Sequence, residues 1–173
     1  MKVSAAVAGG LAGTLTVASL HEALRRLTPD APRMDLLDMD LIRKGLKVAH
    51  QKVPGKEELQ RWAVGGELVA DTTYYSLAGM GGKKGAWLRG AILGLVAGVT
   101  AVVLPKPLGL SADPSNKTTA TQLMTVGLYL VGGLVAAAVA QLVDNAQNTG
   151  EENVKKPVRT KSYEHFPASD LVL

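Results

Sequence analysis

Glu67 and Asp71 are the side chains of this sequence whose type and spacing most invite chemistry. They stand four apart in a mostly apolar stretch, which places both carboxylates on one face of a helix, at increasing depth if that helix enters a bilayer. An acid inside a membrane segment is costly and is a functional hypothesis by default. Two like charges in a low dielectric do not both ionise readily, so the pair suits a proton-binding site or, with another ligand, a cation site. The competing expectation is structural, with bases from neighbouring helices neutralising the acids. Arg25 and Arg26 close the first apolar run on the side where the next one begins, within reach of Glu67, and Arg89 is placed to extend toward Asp71. His21 and Glu22, near the same end of the first run, are candidates to join Glu67 close to the membrane interface.

No metal site or cofactor is expected. The chain has no cysteine, His50 and His165 fall on a loop and on the tail, and no pair of histidines has the spacing of a helical zinc motif. The glycines and lysines between Gly79 and Lys84 lack the full spacing of a phosphate loop, the Ser or Thr after lysine, and a preceding strand. Asn116-Lys117-Thr118 matches a glycosylation acceptor, a short pattern that arises often by chance. With no nucleophile and base constellation in view, an enzyme is the least favoured class.

The elements that must carry these residues are membrane helices. Charged residues make up only 20% of the 173-residue chain and aromatics 4%, so a water-soluble core would consist almost wholly of Ala, Val and Leu. Each of 19 glycines would cost about 1 kcal/mol inside a soluble helix, whereas helices in lipid use small residues to approach closely. The net charge of +4 lacks the interleaved aromatics of a nucleic-acid surface; its basic residues flank apolar runs, as in proteins that meet anionic lipid.

The expected fold is all-α, a bundle of four transmembrane helices over about 3–27, 56–80, 86–104 and 120–144, with a short amphipathic interfacial helix within 34–52. Met34, Leu37, Leu41 and Val48 form the apolar face of that interfacial helix. Residues 1–144 make the bundle, and 145–173 form a polar tail, extended or disordered. The 62–80 segment is the weakest span, because Glu67, Asp71, Thr72 and Thr73 interrupt it. If it enters and returns without crossing, three helices span and the basic residues fall more consistently on one side. Against that alternative, a re-entrant segment must hide its free backbone groups, and no proline turns this one around.

Small residues four apart predict close helix packing. Ala5, Gly9 and Gly13 form one such row, Gly90, Gly94 and Gly98 a second, and Gly132, Ala136 and Ala140 a third. These rows serve either contacts within the chain or contacts between chains. The expected role is structural or accessory: a lipid-embedded protein, in a bacterial inner membrane, that packs against copies of itself or other membrane subunits, with no nucleic-acid partner. The alternative is a proton or ion pathway through Glu67 and Asp71.

Overall fold

The computed structural model describes residues 1–155, in which every regular element is helical and no strand occurs. The helices are α1 (Val3–Leu27), α2 (Met34–Val48), α3 (Lys56–Ser76), α4 (Ala86–Val103), α5 (Asp113–Asn116) and α6 (Thr119–Lys155). Two 3₁₀ turns, Leu77–Gly79 and Lys83–Gly85, connect α3 to α4.

Three of these elements, α1, α4 with its preceding turn, and α6, are long and apolar enough to cross a membrane. The fold class is therefore helical with three helices capable of spanning, and α3 does not meet the same measure. The reason is visible in its faces. Trp62, Val64, Leu68 and Val69 point outward, while Ala63, Tyr75 and Ser76 are buried and Glu67, Asp71 and Thr72 are partly so. Glu57, Glu58, Gln60, Arg61 and Thr73 are exposed as well, so polar residues interrupt both sides of the helix and lower its apolar character.

α6 is the centre of the packing and takes α1 on one side and α4 on the other. Its adjacent glycines serve the two neighbours separately. A methyl group on Gly13 of α1 would lie 2.6 Å from the Gly132 carbonyl oxygen, and Gly90 of α4 meets the Gly133 carbonyl. Farther along, a methyl on Gly94 would lie 2.6 Å from Leu130 Cα, and one on Gly98 2.7 Å from Val126 Cα. Gly9 abuts Ala136 and Ala140 in the same way. α3 joins on the far side of α1, where Gly10 meets the backbone at Thr72.

The helices share two ends. At one, the amino-terminal group donates to Gly81 at 2.9 Å, the Lys2 amide donates to Asp144 at 2.7 Å, and Lys83 pairs with Asp144 at 2.9 Å. At the other, the Arg33 amide donates to Pro114 at 2.7 Å and the Thr121 hydroxyl to Asp30 at 2.8 Å, tying the α1–α2 connection to the α5–α6 connection. α3 starts at this second end, where Leu59 packs on Met39 of α2, and the 3₁₀ turn that follows it reaches the first, where Gly79 abuts Ala6.

Two expectations are corrected. The buried face of α2 is Met34, Leu37 and Met39, while Leu41 and Val48 stay exposed, because the neighbouring Leu59 and Ala63 of α3 take Met39 as their partner. The helix stops at Val48 with His50 in the left-handed region at φ 55°. The amides of His50 and Gln51 return to Lys47 and Leu46, the paired bonds of a Schellman ending. The polar tail was expected from residue 145, yet α6 stays helical to Lys155. The amino-terminus holds the extra turns: Ser4 exchanges hydrogen bonds with Gln147, and Lys2 pairs with Glu151. Residues 156–173, which carry His165 and the rest of that tail, lie outside the described residues.

Candidate functional site

α3 presents Leu59, Ala63, Glu67 and Asp71 at a constant spacing of four, then Tyr75, along the side that faces α1 and α2. Its depth is fixed by Thr72, whose hydroxyl donates to that of Thr14, near the middle of α1, at 3.4 Å. Tyr75 donates to the Tyr129 carbonyl and Tyr74 to the Leu93 carbonyl, each at 2.9 Å, which anchors this part of α3 to α6 and α4. Asp71 is thus held near mid-height, with Glu67 one turn closer to the α2 end.

The structure adds a carboxylate that the sequence reading passed over. Asp38 of α2 lies near Glu67 and Asp71, and burial together with those two carboxylates, and then Asp35, pushes it from the ordinary 3.8 up to about 7. Asp35 itself is held below the usual range by Arg33, whose guanidinium binds it through two bonds of 2.9 Å. Asp38 has no such partner. Among the described residues no lysine, arginine or histidine forms an ion pair with Asp38, Glu67 or Asp71. One oxygen of Asp71, Oδ2, is buried without any hydrogen-bond partner.

The bases that were candidates to neutralise the pair are engaged elsewhere. Arg25 and Arg26 both bind Glu22, at 3.4 and 2.9 Å, on the exposed surface of α1. Arg89 donates to the Ala78 carbonyl at 3.2 Å and to the Gly82 carbonyl at 2.9 Å, supporting the α3–α4 turn. His21 and Glu22 part company as well. The His21 side chain is buried, with its ring edge-on to Tyr129 at 6.1 Å between centroids and Nε2 unpartnered, whereas Glu22 is exposed. Tyr129 lies within electrostatic reach of all three carboxylates.

The packing residues Gly9, Gly13, Gly90, Gly94, Gly98, Gly132 and Ala136 all sit against other helices of the same chain, apart from the acids. Gly10 and Gly79 do likewise, outside the rows that the spacing marked.

Three partly buried carboxylates thus come from two helices, and among the described residues none of them has a cationic partner. No three His, Asp or Glu among the described residues converge closely enough to hold a metal ion. Asp38 also lines a cavity of about 100 Å³ with Leu37, Leu41, Thr100, Ala101 and Leu104, room for about three waters. Partly buried carboxylates of this kind can bind protons.

Comparison of the chain with protein-family models, with curated proteins and with solved structures found no match.

Proposed function

We propose that this is a small polytopic membrane protein whose interior carboxylates, Asp38, Glu67 and Asp71, bind and relay protons. The observation that carries this reading is the absence of any cationic partner for the three acids among the described residues, together with the orphaned Asp71 Oδ2. A purely structural acid would be expected to have found its base. In this reading α3 is a fourth crossing, and the setting is a proton-energised membrane such as a bacterial inner membrane. In the same reading, the small cavity beside Asp38 serves as the entry from the α2 end. An accessory role is less favoured, because the small-residue faces that were to receive a partner are occupied within the chain.

The test is proton flux in proteoliposomes carrying an internal pH-sensitive dye. The parent protein should conduct faster than empty vesicles, and Glu67→Gln and Asp71→Asn should return flux to the empty-vesicle level with the helical fold intact. A parent no faster than empty vesicles, or an Asp71→Asn variant as fast as the parent, contradicts the reading.

A further inference from the structure

A cleft of about 690 Å³ opens at the α2 end, between the α1–α2 connection, α2, the start of α3 and the α5–α6 region. Its floor is apolar, made by Leu36, Met39 and Leu59, and its walls carry Arg33, Arg43, Lys56 and Lys117 against Asp40 and Asp113. Arg43 binds Asp40 and Arg33 binds Asp35, which leaves Lys56 and Lys117 as cations with no ion pair among the described residues. A smaller adjoining hollow of about 270 Å³ shares Pro29, Ala31 and Arg33 with the cleft and adds Arg25 and Arg26, which divide a single acid, Glu22. The surplus around both openings is positive.

The level of the cleft in the molecule identifies its occupant. Pro29 follows the end of α1 at Leu27, and Thr121 belongs to the first turn of α6, so the cleft sits where two membrane-capable helices leave the apolar layer. That level in a bilayer is the headgroup zone, in which phosphodiesters stand above glycerol and acyl chains. We propose that the cleft binds the headgroup of an anionic phospholipid, with its phosphate between Lys56 and Lys117 and its glycerol region on Leu36, Met39 and Leu59. The size falls within the range of ligand-binding clefts, roughly 300–1,000 Å³.

The experiment titrates the full chain in a non-ionic detergent with short-chain phosphatidylglycerol, short-chain phosphatidylcholine and glycerol phosphate. Phosphatidylglycerol should bind saturably and more tightly than the other two. The Lys56→Gln/Lys117→Gln double variant should weaken it by about 25-fold, since each basic residue beside an anionic headgroup contributes roughly fivefold. Both lysines are exposed, so helix content should not change, and Lys84→Gln at the opposite end should leave binding untouched. Equal affinity for the zwitterionic lipid, or parent-like binding by the double variant, would overturn the assignment. Glycerol phosphate binding as tightly as the lipid would also overturn it, in favour of a soluble phosphate ligand.

Discussion

At the scale of the residue, the carboxylates divide by how visible they are in the sequence. Glu67 and Asp71 stand out because an acid in an apolar stretch is anomalous, whereas Asp38 is one of several charges in an alternating segment, and only the docking of α2 reveals its neighbours. The pairing expected for the acids failed for a local reason. An arginine late in a helix finds an acid three or four residues back on its own helix, as Arg25 and Arg26 find Glu22. Arg89 finds carbonyls around the end of α3, which lack intrahelical donors. The raised value of Asp38 has a definite sign in stability. Above 3.8 the unfolded chain loses this proton, while the folded chain keeps it until about 7, so stability falls as pH rises through that window. Asp38→Asn should flatten the fall, measured as denaturant unfolding of the detergent-solubilised protein at a series of pH values. Parallel curves for parent and variant would count against the carboxylate cluster.

At the scale of the element, α1, α4 and α6 were legible as spans because their apolar runs are long and nearly free of charge, whereas α3 was legible as a helix but weak as a span because Glu67, Asp71, Thr72 and Thr73 interrupt it. Its outward side carries Trp62, Val64, Leu68 and Val69, and its inward side carries Glu67 and Asp71. The periodicity of α2 indicated a helix but misassigned its buried side, since Leu41 and Met39 are both apolar and only the position of α3 selects Met39. Four-residue spacing of glycines indicated close approach without saying which helix approaches; Gly132 and Gly133, side by side, turned out to face different neighbours. Gly94→Leu should therefore disrupt the α4–α6 contact, costing about 1–3 kcal/mol or more from overpacking against the Tyr129 and Leu130 backbone. Gly65→Ala on α3, with nothing within 4 Å of the added methyl, should be neutral or stabilising, by up to about 1 kcal/mol. Thermal unfolding of the two variants in detergent checks both; a tolerated Gly94→Leu would refute the helix approach described.

At the scale of the whole molecule, the proposed proton relay requires α3 to cross the bilayer. Counting basic residues could not answer this, because both ends carry them: Lys2, Lys83, Lys84 and Arg89 beside the amino-terminus, and Arg25, Arg26, Arg33, Arg43 and others at the α2 end. α3 runs from Leu59 against α2 toward the turn in which Gly79 abuts Ala6 of α1, and the proposed relay takes that course as a fourth crossing. If α3 instead lay on one surface, Glu67 and Asp71 would be interfacial acids and the relay would lose its setting. The chain has no cysteine, so single cysteines can report sidedness. Ser76 at 4% exposure is too buried to serve, while Gln51 before α3 and Lys84 after it are exposed. The decisive measurement is labelling of Gln51→Cys and Lys84→Cys by a membrane-impermeant maleimide in sealed, uniformly oriented vesicles. With α3 crossing, one is labelled from outside and the other only after the membrane is opened; labelling of both from the same side would rule the crossing out.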